Sequence, residues 1–340
     1  VRRVIPYHYT FKTFVKRRWL GRTLIDVLDS EFRDQTHDYY VKAIEDGRIR
    51  LNDKLAATST VIVDGYVLSH TTHRHEPPVT AQPITIVEHT DEGLLVIDKP
   101  ASIPVHPTGR YQHNSVIHIL AKERGLGVSE SDSNKVLLYP VNRLDRLTSG
   151  LMLIGSNVDV ARRFERQMSE RSIRKEYVCR VFGEFPKNMP FHQKVMPIRT
   201  INHKLGLNAV DLIEGKPCVT RFKLLSYDGT TSVVRAYPLT GRTHQIRVHL
   251  QFLGHPIAND PLYAHVSNVN KTTDETTPSE TQDSNEGEED DVSIRGGTVC
   301  KECGVIVPDD YRPEQMCIWL HAIKYSGEGW SYETTEPEWA

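Results

Sequence analysis

The chain has 340 residues, of which 42 are Lys or Arg, 44 are Asp or Glu and 38% are hydrophobic. That is the make-up of a globular protein with one large domain or two smaller ones. No apolar run approaches the roughly 18 residues that a membrane-spanning helix needs, and five scattered cysteines exclude a disulfide scaffold.

The odd cysteine count and an opening without the apolar core of a signal peptide predict an intracellular protein, cytoplasmic first, with mitochondrion and nucleus as alternatives. The net charge of −2 hides an asymmetry. Nine acidic and no basic residues lie between Thr272 and Ile294; without them, 42 basic face 35 acidic residues, a body of +7. Such a balance is compatible with a polyanionic partner.

In chain order, Phe11, Phe14 and Trp19 are interleaved with Lys12, Lys16, Arg17 and Arg18. This mixture suits base stacking with phosphate pairing, or equally a solvated basic helix face. Leu24, Ile25, Leu28 and Phe32 have helical spacing, and Tyr40, Val41 and Ile44 begin a second helix that Gly47 ends. Ile49, Leu51 and the run Val61-Ile62-Val63 read as short strands. His73 to Val79, ending in Pro77-Pro78, reads as a linker with linker histidines.

Leu94 to Asp98 then reads as a buried strand closed by Lys99-Pro100, and Ser115 to Arg124 as a helix stopped by Gly125. Strands follow at 150–154, 174–182, 220–227 and 232–239. Ala161, Phe164 and Met168 mark one helix face, and Ile246, Leu250 and Leu253 mark another over 243–253. Without a regular βαβ alternation, the expectation is an α+β domain from residue 81 onward, after a basic arm and small module over 1–80. Residues 268–293 lack large apolar side chains and are expected to be a disordered acidic insertion.

Nucleotide-binding glycine loops, an H-E-x-x-H helix and a G-x-S-x-G elbow are all missing, so no cofactor is expected. Two dense polar segments remain. In Asn142-Arg143-Leu144-Asp145-Arg146-Leu147-Thr148-Ser149-Gly150 the flanking arginines favour a charged Asp145, as nucleophile or base, or as a structural salt bridge. In Thr240-Gly241-Arg242-Thr243-His244-Gln245-Ile246-Arg247-Val248-His249 two arginines near a helix start could hold phosphates and face a carboxylate, or form an exposed basic helix. Cys300-x-x-Cys303 with Cys317 and His321 would allow a structural zinc clip, although no metal is expected.

The segment Arg143 to Gly150 resembles the catalytic motif of the RluA-type pseudouridine synthases. Asp98-Lys99-Pro100 with Ile103-Pro104-Val105-His106-Pro107, Lys175-Glu176-Tyr177 and Gly241 to His249 resemble further motifs of that family, in the same order. Gly254-His255-Pro256, Asp260-Pro261-Leu262-Tyr263 and Leu320-His321-Ala322 also fit. Asn142 departs from the family's usual His. Arg74 to Val79 and the Pro-Glu-Trp-Ala ending are similar to the eukaryotic branch, and the N-terminal module resembles a divergent S4-type RNA-binding domain.

The resemblance implies a mixed, largely antiparallel central sheet flanked by helices. It implies isomerisation of uridine to pseudouridine in RNA, with tRNA in the anticodon-loop region first and mRNA or rRNA behind it. Asp145 would be the essential carboxylate, Arg247 its partner and Tyr177 the base-stacking group. Arg143, Arg242, His244, Lys175, Lys99, His106, Lys16, Arg17 and Arg18 would contact RNA. The protein is expected to be monomeric, without membrane or nucleotide cofactor. A non-catalytic RNA-binding protein of the same fold is the alternative.

Overall fold

The structure, a computed structural model, describes all residues except 33–34, 129–135, 188–194, 203–205, 265–296 and 309–312. The acidic stretch expected to be disordered lies outside the described residues. The chain forms two compact units. One comprises Val4–Glu76 and Ser293–Asp309, and the other comprises Val1–Arg3, Pro77–Val292 and Asp310–Ala340. Residues 297–308, expected within the catalytic part, therefore belong with the N-terminal module.

In the smaller unit, β1 (Tyr7–Phe14) precedes α1 (Leu24–Glu31), α2 (His37–Glu45), β2 (Ile49–Leu51), β3 (Lys54–Leu55) and β4 (Val67–Arg74). The strands pair in the order β1-β4-β2-β3. Each helix starts on a threonine: Thr23 Oγ1 accepts from Asp26 N–H, and Thr36 Oγ1 from Tyr39 N–H, satisfying one orphan amide apiece. The apolar stripes of both helices close over Trp19, Ile49 and Leu68.

Three expectations fail here. The basic arm is not a helix: Lys12 sits on β1, and Arg17–Trp19 form one 3-10 turn. Residues Val61 to Val63 make a single bridge from Val61 to Thr23, with only Ile62 buried. The supposed linker starts inside β4, which holds His73 and Arg74. Strand β4 has no apolar alternation because its pairing with β1 and β2 decides its conformation.

The larger unit runs β5 (Thr85–His89), β6 (Leu94–Lys99), α3 (Val116–Arg124), β7 (Tyr139–Pro140), β8 (Ser149–Gly155), α4 (Val158–Ser169), β9 (Arg174–Phe182), β10 (Ile198–Asn202), β11 (Leu207–Val210), β12 (Thr220–Tyr227), β13 (Thr231–Pro238) and α5 (Gln245–Phe252). The hairpin β14 (Gly297–Val299) and β15 (Ile306–Pro308) comes next and lies in the smaller unit, before β16 (Leu320–Gly327) and β17 (Trp330–Glu333) return to the larger.

The main sheet has the order β12-β13-β9-β16-β8-β6-β5, with β17 added to β16 and β7 to β8. Among the described residues only β16–β8 pairs in parallel, so the sheet is mixed and largely antiparallel, as the motifs imply. Strands β6 and β8 are apolar without alternation, since Leu94–Ile97 and Leu151–Ile154 are buried throughout in the middle of the sheet.

Among the described residues the apolar interior has two main parts and a smaller cluster of Ile198, Cys218, Val248 and Tyr263. One gathers α3, α4, β6 and β8, the other β9, β13 and α5, and Tyr177 packs against both. Where β8 meets β16, Gly150 has φ +112° and a Cβ there would lie 2.3 Å from the Ala322 carbonyl oxygen. Only glycine permits that approach, and it brings β16 against the segment that carries Asp145.

On α5, His249 is fully buried. Its Nε2–H donates to the Met196 carbonyl at 2.9 Å, and its Nδ1 accepts from the Thr220 hydroxyl at 2.9 Å. Burial pushes its pKa down to about 4. Between that value and the ordinary one near 6.5, the unfolded chain takes up a proton that the folded chain refuses, so stability falls as pH falls. Urea unfolding at pH 7 and pH 4 should show His249→Gln losing roughly 3 kcal/mol less than the parent over this interval. Equal losses would remove His249 as the cause.

Candidate active site

Asp145 lies in the loop that enters β8, in a turn closed by Thr148 N–H donating to the Asp145 carbonyl at 3.1 Å. Its side chain stays 29% exposed, while Arg247, projecting from α5, is 5% exposed. Arg247 Nη1 donates to Asp145 Oδ2 at 3.3 Å. The same guanidinium grips Asp260 with two bonds, Nε to Oδ2 at 2.7 Å and Nη2 to Oδ1 at 2.9 Å. Asp260 is fully buried and also accepts from the backbone N–H groups of Leu262 and Tyr263. Burial alone would lower the Arg247 pKa; its bonds to Asp260 and the charge of Asp145 outweigh that and raise it.

His244 caps α5 in a left-handed conformation, φ +55°, with Nε2 3.8 Å from Asp145 Oδ2. Its Nδ1 meets the Tyr263 hydroxyl at 2.9 Å, and that hydroxyl accepts from Asn208 N–H at 3.1 Å. With the Tyr263 proton completing the bond to Nδ1, the hydrogen on Nε2 points toward Asp145. Burial lowers the His244 pKa, which favours this neutral imidazole.

Tyr177, on β9, shares a 2.8 Å hydroxyl contact with Tyr325 of β16. Asn142 Nδ2 donates to the Tyr325 hydroxyl at 3.3 Å, while Asn142 Oδ1 accepts from Leu153 N–H. The Tyr325 proton then goes to Tyr177, leaving the Tyr177 proton free to face outward. Burial, and secondarily the charge of Asp145, pushes Tyr177 up to about 12 against the bond from Tyr325, so the phenol is neutral near pH 7. Asn142 is thus the donor that sets the orientation of this pair.

The remaining sequence candidates separate. Lys99, expected at RNA, is fully buried, and its Nζ donates to the carbonyls of Pro100 and Ile103 at 2.9 Å and of Arg146 at 3.3 Å. It cannot reach RNA from there; it ties the loop after β6 to the Asp145 loop. Lys175 is half-buried and donates to the Thr240 carbonyl at 3.4 Å. Arg143 and Arg242 are exposed and His106 is half-buried. Lys16, Arg17 and Arg18 lie in the other unit, where Arg18 pairs with Glu31.

His321 spends both nitrogens on Ser149 and Thr334 hydroxyls, so the zinc clip drawn through Cys317 and His321 is not formed. Sequence reasoning assigned no role to Asp260, Tyr263 or Tyr325. Asp260-Pro261-Leu262-Tyr263 carries the one available signal, an acid at a proline turn beside an aromatic.

A buried arginine binding one sealed carboxylate and presenting its remaining edge to a second, exposed one is built to position that second group. The sequence of residues 93–252 matches the family model described as RNA pseudouridylate synthase. The "tRNA pseudouridine(32) synthase, mitochondrial" of Saccharomyces cerevisiae is 41% identical over all of this chain and 77% of its own length. This chain belongs to the RNA pseudouridylate synthase family.

Other family members of similar likeness are human "Pseudouridylate synthase RPUSD2", 38% identical over all of this chain and 73% of its own. The yeast "tRNA pseudouridine(31) synthase" is 33% identical over all of this chain and 95% of its own. As a pseudouridylate synthase the protein is an RNA isomerase. Among the described residues, no helix is long and apolar enough to cross a membrane.

The two carboxylates on Arg247 should differ sharply in their effect on folding. Asp260→Ala strands a buried guanidinium and should cost about 3–5 kcal/mol in urea unfolding, whereas Asp145→Ala should cost about 1 kcal/mol or less. Equal costs would mean that the pairing is not graded as the exposures indicate.

Proposed function

We propose that this synthase acts on tRNA in the anticodon-loop region, with Asp145 as the essential carboxylate. The reaction breaks the C1′–N1 glycosidic bond, turns the uracil in place and joins C5 to C1′. The proton on C5 leaves and one returns to N1, so atoms and electrons balance without an oxidant or energy donor. The observation that carries the reading is the partly open Asp145 carboxylate held by Arg247, which Asp260 anchors; Asp145 and Arg247 both fall within the matched residues 93–252. The names of two yeast relatives specify tRNA positions 32 and 31, which supports tRNA over mRNA or rRNA.

In this reading Tyr177 stacks on the target base and Arg143, exposed on the loop beside Asp145, fills the space that the flipped base leaves. Tyr177 enters as a neutral phenol whose oxygen receives a bond from Tyr325, so its own proton is available to donate to the target base. His244 lies on the same carboxylate oxygen as Arg247, its Nε2 3.8 Å from Asp145 Oδ2. Arg242, Lys175 and His106 serve the RNA backbone in this proposal.

The smaller unit is an S4-like RNA-binding module in this proposal. Lys12, Lys16 and Arg17 are exposed, as are Phe11 and Phe14, a pairing of cations and aromatics that suits single-stranded RNA. The enzyme works as a monomer, in the cytoplasm or, like the relative whose name includes it, the mitochondrion.

Tritium release from [5-³H]uridine-labelled tRNA tests the assignment. Asp145→Asn should lower release by about 10³-fold or more with RNA affinity within a few-fold of the parent. Lost binding would make Asp145 structural, and release only from mRNA or rRNA would move the substrate. Arg242→Ala should weaken tRNA binding across sequences and reduce the salt slope by about 1; an unchanged slope would remove it from the backbone contacts.

A further inference from the structure

We infer that His73, His75, Cys300 and Cys303 form a zinc site that fastens the β14–β15 hairpin onto β4. The four ligand atoms all lie within 4.8 Å of one another. Cys300 Sγ is 3.6 Å from His73 Nδ1, and Cys303 Sγ is 3.3 Å from His75 Nε2. Tetrahedral zinc, with bonds of about 2.0–2.3 Å to nitrogen and sulfur, separates its ligand atoms by roughly 3.3–3.8 Å. Two separate thiol–imidazole hydrogen bonds would explain each pair but not the convergence of all four atoms. Two sulfurs with two imidazoles in that geometry select zinc among the common divalent ions.

Both halves of the site are shaped for it. His73 and His75 are two apart at the end of β4, which puts them on one face of an extended segment. Cys300-x-x-Cys303-Gly304 forms the turn between β14 and β15. Gly304 N–H donates to the Cys300 carbonyl at 2.9 Å, Cys300 N–H to the Val305 carbonyl at 2.9 Å, and Gly304 takes φ +74°. This tight knuckle aims both sulfurs the same way.

Glu302 lies 3.4 Å from His73 Nε2, on the ring edge opposite the sulfur, and 2.6 Å from His8 Nε2. A carboxylate behind the ring fixes the tautomer that leaves Nδ1 free to bind metal. Cys317, the third cysteine the sequence offered, belongs to the other compact unit, and β4 histidines replace it. The bond set crosses 227 residues of sequence.

Metal analysis of the full chain, purified after zinc-supplemented expression, should give about one zinc per chain. Cys300→Ser with Cys303→Ser should abolish it, Glu302→Gln should weaken it about 10–100-fold, and Cys317→Ser should leave it unchanged. Cobalt substitution should give a tetrahedral spectrum with thiolate charge transfer. Cys303→His, which keeps four ligands, should retain metal with weaker charge transfer even if the serine double variant does not fold. Folded protein without zinc, a Cys300–Cys303 disulfide in its place, or full zinc in Cys317-intact protein lacking both knuckle cysteines would each overturn the assignment.

Discussion

The Arg247 guanidinium is the group on which the site's geometry rests. A cation buried to this degree is costly unless its donors are met, and two oxygens of fully buried Asp260 meet the inner edge. The outer edge is left for Asp145, whose carboxylate can therefore stay partly open to solvent and still be held in place. Both aspartates arrive from loops, one before β8 and one after α5, so a single side chain sets the spacing between two otherwise independent connections. Tyr263 under the guanidinium and His244 beside Asp145 extend the same support, since the Tyr263 hydroxyl joins His244 to the β11 backbone at Asn208.

Lys99 applies the same logic to the backbone. Three carbonyls around one ammonium satisfy acceptors that two converging loops would otherwise bury unpaired. Burial pulls its pKa down to about 7, and the nearby Asp145 charge offsets only part of that. The Asp-Lys-Pro segment thus contributes a scaffold contact to the site, with proline ending the strand where the side chain must turn inward.

The larger unit is legible in the sequence where burial is one-sided or complete. The apolar runs of β6 and β8, the capped α3 and the alternation of β9, β12 and β13 all stand out because local pattern and final environment agree. Asp145 and Arg247 are legible because their polar segments are dense. Asp260 is less so, because a buried acid reads like any turn residue until its partner, brought by another element, is known. Tyr325 hides inside an ordinary strand pattern. The smaller unit is harder still: β1 and β4 carry His, Thr and Arg, and cross-strand pairing alone makes them strands. For the same reason two histidines that look like linker residues end up facing a cysteine pair from the far side of the acidic insertion.

The position of β16 has a consequence for how the enzyme comes into being. This strand is late in the chain yet lies between β8 and β9, in the interior of the sheet, and it carries the tyrosine that meets Tyr177. During synthesis the loop with Asp145 and the helix with Arg247 leave the ribosome well before residues 320–327. Until those residues arrive, β8 and β9 each have an open edge where a partner belongs. The nascent enzyme therefore holds Asp145, Arg247 and Tyr177 on a split sheet, and closing it is a long-range, slow step. An unfinished or prematurely ended chain would carry the recognisable motifs while lacking the strand that makes them one site.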